Sequence, residues 1–229
     1  MGTTDADRAT SLLEALLEPD GPLPCSVTFA PTGIWARGDR RLVPVEDGRT
    51  LLLDHDEREA PVRLSTSDSW DDTHLVSLTD EEETCACAWA RVPAGSPVAG
   101  LGIDLAGTHD FAGARGERFN RLIFTQREHE LAPIIGGGDL ALGYAYAFSA
   151  KEAAFKALAA PLRRWYQSHD EELLFDIRSF ELLDASHEAG TARKGEAQRA
   201  MERLGIVSIE LGRMALGDKA LTIAVARRA

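Results

Sequence analysis

The period of hydrophobic and polar positions changes several times along this chain, and each change marks an element. In TSLLEALLE (10–18), Leu12, Leu13, Leu16 and Leu17 fall on one helical stripe, and Pro19 ends the helix. Pro19, Gly21, Pro22 and Pro24 make a rigid connector. Residues 25–53 follow, in which VTF, RLVPV and TLLL have the alternation of strands. TCACAWAR (84–91) reads as a buried strand, VPAGSPVAG as a hinge, and LGIDL (101–105) as a short apolar strand with one acid in its middle. Residues 115–131 have a helical period. Gly136–Gly138 breaks the chain, and a long helical stretch then runs from 139 to 166. Within it, Ser149-Ala-Lys-Glu152 spells a capping box, a candidate break. Strand patterns recur at 173–183, 206–211 and 220–227. Helices and strands alternate irregularly, which predicts an α+β fold with antiparallel sheet.

Composition narrows what such a fold is for. The 229 residues suit one large domain or two small halves, and a chain this long needs no disulfide or metal to fold. With 25 basic against 37 acidic side chains, the net charge of −12 argues against a nucleic-acid partner. No apolar run is long enough for a membrane span, and the acidic N-terminus has no secretory pattern, which predicts a cytoplasmic protein. Cys25, Cys85 and Cys87 lack the spacing of a zinc or disulfide framework. On a strand, Cys85 and Cys87 share a face as small core residues. EEE at 81–83 reads as a solvated loop tip, and His74, His109 and His129 as surface histidines.

Two acids stand out against apolar surroundings: Asp104 in GLGIDLAG and Glu152 in YAYAFSAKEAAFKAL. A buried carboxylate needs a partner, and two that converge commonly share a cation. Lys156 follows Glu152 by four residues, on the same helical face. Two carboxylates and a lysine suit Mg2+-assisted phosphate chemistry; the bland alternative is a helical Glu152–Lys156 ion pair beside a capping box.

Gly102-Ile103-Asp104, then Phe124-Thr125-Gln126-Arg127-Glu128, then Phe148-Ser149-Ala150-Lys151-Glu152-Ala153-Ala154-Phe155-Lys156, in that order and spacing, resemble the signature of the 4′-phosphopantetheinyl transferases, nearest the monomeric enterobactin and surfactin type. The resemblance implies a pseudo-twofold pair of α+β halves, here 1–100 and 101–229, acting as a monomer. It also implies transfer of the phosphopantetheine arm of coenzyme A to a serine of an acyl or peptidyl carrier protein, in polyketide, nonribosomal peptide or fatty-acid synthesis. By the same resemblance Asp104 and Glu152 ligate Mg2+, Glu152 helps remove the serine proton, and Lys156 holds a phosphate. Glu128 matches a family acid whose role is catalytic or structural.

The chain departs from the family pattern in places. Ala106 stands where many relatives carry a second acid. The segment that grips coenzyme A phosphates is matched by Ser77-Leu78-Thr79-Asp80, a register supported by Trp70, with Asp80 in place of a histidine; Ser65-Thr66-Ser67 is the other register. Arg40, Arg41 and Arg49 are the upstream candidates for the nucleotide phosphate. These departures leave a second reading open, a catalytically silent relative that binds carrier proteins. Arg115, Arg118 and Arg121 form a basic stripe on the helix after Asp104, an expected docking surface for an acidic carrier.

Overall fold

The computed structural model describes the backbone of residues 2–32, 36–37, 40–44, 50–55, 61–64, 74–170, 173, 175–182, 188–191 and 195–229; side chains are described for the same residues except 36–64 and 188–191. Helix α1 (Asp5–Leu17) is held at its start by a capping box between Thr4 and Asp7 and buries Ala9, Leu13 and Leu17. It packs on strand β1 (Cys25–Pro31). Strands β2 (Ala36–Arg37), β3 (Arg40–Pro44), β4 (Thr50–His55) and β5 (Pro61–Leu64) form an antiparallel sheet in chain order. Strands β6 (His74–Glu81) and β7 (Thr84–Arg91) pair as a hairpin, and β1 lies on the far side of β7, giving the order β1-β7-β6.

Strand β8 (Val98–Gly107) is buried along its whole length. Helices α2 (Gly113–Ile123), α3 (Gln126–Ile135), α4 (Leu140–Ala157) and α5 (Ala159–Tyr166) follow. After β9 (Phe180–Leu182), β10 (Glu188–Thr191) and helix α6 (Glu196–Leu204), the long hairpin of β11 (Ile206–Leu216) and β12 (Lys219–Arg228) completes a sheet of order β8-β12-β11-β10-β9. Among the described residues all strand pairs are antiparallel, so the architecture is α+β, as the pattern implies. Among the described residues no helix is long and apolar enough to cross a membrane.

The two faces of β8 and β12 differ in size. Leu101, Ile103 and Leu105, with Leu221, Ile223 and Val225, pack into one core with Leu13, Leu17 and Leu75. The other face carries Gly100, Gly102, Asp104 and Ala106 beside Ala220, Thr222, Ala224 and Ala226, and α4 lies against it with Ala153 and Ala157. Small residues on both surfaces let the helix approach closely. Methyls added at Gly100 and Gly102 would sit 1.8 and 1.9 Å from the carbonyl oxygens of Ala157 and Ala153.

Several expectations need correction. The stretch 115–131 is two helices, because Thr125 caps α3 through a box with Glu128. Ser149 opens no helix: Asp139 caps α4, which runs through residue 149 without a break and ends at Ala157, with Leu158 as its C-cap. Among the described residues of 173–183, strand structure is confined to Phe180–Leu182. Glu81 ends β6 half-buried, leaving only Glu82 and Glu83 at the exposed tip. His74 is buried, and half-buried His129 bonds the Tyr144 hydroxyl at 2.6 Å. Cys85 and Cys87 do lie in one buried cluster with Val76 and Leu78, and all three cysteines are free thiols.

Two sheets meet along β6 and β8 through side chains. Ser77 Oγ accepts the amide of Ile103 at 3.0 Å, Thr79 Oγ1 that of Leu105 at 3.3 Å, and Glu81 Oε1 that of Gly107 at 3.2 Å.

Candidate active site

Asp104 is the one acid on the α4 face of β8, and it is 5 % exposed. Its Oδ1 accepts hydrogen bonds from Lys156 Nζ at 2.6 Å and Thr79 Oγ1 at 3.0 Å. Its Oδ2 is buried and has no hydrogen-bond partner. Burial pushes the Asp104 carboxyl up to about 6 despite the opposing pull of Lys156, and the negative charge of Glu152 adds to the rise. Glu152, half-buried on α4, is also raised by burial, with Lys156 working against the shift. Lys156 also donates to the Ile103 carbonyl at 3.3 Å. The lysine four residues after Glu152 therefore reaches across to β8 and bonds Asp104.

An unsatisfied carboxylate oxygen in a dry site, with a second carboxylate close enough to feel its charge, is the donor chemistry of a hard divalent cation. Asp104 and Glu152 are the residues that would hold such an ion. Mg2+ uses few protein ligands, so Ala106 need not be an acid for this fit. Elsewhere, Glu81, His109 and Asp110 bring one ligand atom each within 4.8 Å of one another, and the last two are exposed.

The remaining expected site residues are distributed as follows. Ser77 and Thr79 are 3 % and 5 % exposed, and their hydroxyls are engaged with β8, Thr79 also with Asp104. Both lie at the seam between sheets, next to Asp104. Asp80 is exposed. Arg40 and Arg41 lie on β3, where only the backbone is described; Arg49, Ser65, Thr66, Ser67 and Trp70 lie outside the described residues. Arg115, Arg118 and Arg121 are exposed on α2, and Arg121 Nε donates to the Glu117 carbonyl.

One pair escaped the sequence reading. Glu128 and Lys151 form an ion pair at 2.9 Å with both side chains fully buried. Lys151 Nζ also donates to the Phe180 carbonyl at 2.5 Å, and Glu128 accepts the amides of Thr125 and Leu182. The cluster ties α3, α4 and β9 together behind Glu152, which gives Glu128 a structural setting. A lysine inside an apolar helix was the readable signal, since a buried ammonium demands a counter-charge. Lys151→Met strands the Glu128 carboxylate, and unfolding in urea is expected to show a loss of about 3–5 kcal/mol, partly restored by adding Glu128→Gln.

The geometry can be compared with known proteins. Among solved structures, the holo-[acyl-carrier-protein] synthase of Neisseria meningitidis is similar at 22 % identity, over 57 % of this chain and 99 % of its own, with a TM-score of 0.43. The acyl carrier protein synthase of Mycobacterium tuberculosis is similar at 26 % identity, over 58 % and 99 %, with a TM-score of 0.38. The Helicobacter pylori holo-[acyl-carrier-protein] synthase, solved in complex with coenzyme A, is similar at 17 % identity, over 55 % and 98 %, also at 0.38. No curated protein matches the chain. The family model of the 4′-phosphopantetheinyl transferase superfamily matches residues 100–224, more than half of the sequence and the whole of the Asp104–Glu152–Lys156 site, so the chain belongs to that superfamily.

Proposed function

We propose that this chain transfers the 4′-phosphopantetheine arm of coenzyme A to a serine of an acyl or peptidyl carrier protein, in an Mg2+-dependent reaction. Polyketide or nonribosomal peptide carriers are the expected substrates. The observation that carries the reading is the partnerless, buried Oδ2 of Asp104 beside Glu152, with Lys156 on the other carboxylate oxygen. On this reading residues 1–100 form the coenzyme A side and 101–229 carry the chemistry, within a monomer.

Asp104 and Glu152 would hold the ion, which when bound supplies positive charge to the pyrophosphate as it breaks. The chain's own groups do the rest. Lys156 has three N–H donors, and Asp104 and the Ile103 carbonyl take two, leaving one for a phosphate oxygen. A serine hydroxyl is a weak nucleophile and needs a base; Glu152, whose pKa burial raises above the ordinary carboxylate value, is the group assigned to take that proton. Thr79 fixes the rotamer of Asp104 by bonding the oxygen that Lys156 also holds.

A second reading, the silent carrier-binding relative, draws on one observation: Ser77 and Thr79 commit their hydroxyls to β8. The assay separating the two is direct. Incubated with apo-carrier, coenzyme A and Mg2+, the protein is expected to add one phosphopantetheine to the carrier mass, and EDTA to prevent it. No gain with several carriers would leave only the binding function.

Docking is proposed on α2. Helical spacing sets Arg115, Arg118 and Leu122 on one face, with Arg121 adjoining, and Leu122 is 69 % exposed. An apolar anchor ringed by cations fits an acidic amphipathic helix, on a protein whose overall charge would otherwise repel it. Arg118→Glu with Arg121→Glu is expected to raise the carrier KM about tenfold and to leave the coenzyme A KM alone. Unchanged carrier kinetics would remove α2 as the docking face.

A further inference from the structure

Beside the cation site lies a second bridge between the same helix and the same sheet. Thr222 on β12 is the cross-strand partner of Asp104, so the two side chains leave the sheet together on the face that α4 covers. Ser149 stands three residues before Glu152 on α4. The hydroxyl oxygens of Ser149 and Thr222 are 2.6 Å apart, and both residues are fully buried. The Tyr146 carbonyl lies 3.3 Å from Ser149 Oγ and can accept its hydrogen, and either hydroxyl can donate in the shorter bond.

What surrounds this bridge gives it a purpose. Apart from Lys156, which reaches Asp104 and the Ile103 carbonyl, the contact near Asp104 is small residues, with Ala153 and Ala157 of α4 against Gly100 and Gly102. Smooth surfaces set how near the helix comes, but alanine against glycine resists rotation and sliding weakly, which leaves that task to the polar bonds on either side. A turn of α4 by about 10° would carry the end of a side chain, roughly 6 Å from the helix axis, through about 1 Å. That is enough to spoil a shared ligand geometry. A short, directional bond one helical turn from Glu152, on the strand next to Asp104, removes that freedom.

We infer that Ser149 and Thr222 are positioning residues of the cation site, setting the rotation of α4 so that Glu152 meets the ion bound by Asp104. This rests on the proposed function. Thr222→Val keeps the shape and deletes the hydroxyl, and Ser149 can still donate to Tyr146, so no buried donor is orphaned. With Mn2+ as the probe, in the presence of coenzyme A, free ion is counted by electron paramagnetic resonance on the full chain.

Thr222→Val is expected to bind Mn2+ about 10- to 100-fold more weakly, with the Mg2+ KM rising in step and kcat at saturating Mg2+ less affected. Thr222→Ser is expected to restore most of the affinity. Ser149→Ala should reproduce the loss and serves as the test if the valine variant does not fold. A melting temperature in EDTA, taken in parallel, reports the purely structural share of each change. If folded Thr222→Val or Ser149→Ala binds Mn2+ as the wild type does, while Asp104→Ala does not bind it, the positioning inference is overturned and the cation site stands. If the wild type binds no Mn2+, or Asp104→Ala binds it equally, the cation reading fails and takes the inference with it.

Discussion

Gly102→Ala is expected to give a protein at least about 3 kcal/mol less stable and about a hundredfold less active than the wild type. In most strands alanine is the better residue, since glycine is more costly to order. Here the sign reverses. The added methyl would lie 1.9 Å from the Ala153 carbonyl oxygen and 2.8 Å from the Ala157 amide nitrogen. Both are main-chain atoms of α4, which cannot rotate aside as a flexible side chain could. The helix must lift from β8, opening the packed alanine face and withdrawing Glu152 and Lys156 from Asp104. Urea unfolding gives the first effect, and kcat/KM for a carrier the second. A variant as stable and active as the wild type would show that α4 does not need this close an approach.

Asp104→Asn should separate stability from function. Losing the negative charge that holds Lys156 and completes the proposed cation site is expected to cost about 4 kcal/mol of barrier, roughly three decades in kcat/KM. Stability should respond in another way. Because burial holds the Asp104 carboxyl at about 6 in the folded state against 3.8 normally, the metal-free folded protein binds the extra proton between those values. The contribution of Asp104 to stability therefore falls as pH rises from about 4 to 6 and stays low above that. Asparagine cannot titrate. Measured in EDTA, the stability of the wild type minus that of Asp104→Asn should decline across this window and level off near neutrality. A difference flat in pH would mean that Asp104 ionises in the folded protein as it does in the unfolded chain.

Local patterns were readable from sequence where neighbours in the chain decide them. The α1 leucine stripe, the buried TCACAWAR strand and the shared face of Cys85 and Cys87 depend only on period. The candidate site residues drew notice for a similar reason: a lone acid in an apolar strand, or an acid and two lysines in an apolar helix, is costly without a use. Their partners were not nameable, because partners come from distant segments. The Ser149–Glu152 spacing is identical in a capping box and in a helix interior, and Asp139 and Thr222 decided between them. Lys156 had an obvious mate in Glu152 and took Asp104, 52 residues away. Ser77 and Thr79 read as ligand-gripping hydroxyls, yet they meet an edge of β8 that only the folded chain brings near.

That junction has a consequence for how the molecule tolerates change. Alternate residues of β6 serve alternate amides of β8, so the two sheets are indexed like a rack in two-residue steps. Inserting or deleting a single residue within β6 would offer Leu78 and Asp80 in place of the hydroxyls and take from Asp104 its threonine. The same edit at the exposed tip formed by Glu82 and Glu83 leaves the teeth engaged. Length variation in this hairpin should therefore be accommodated at its tip and rejected a few residues away.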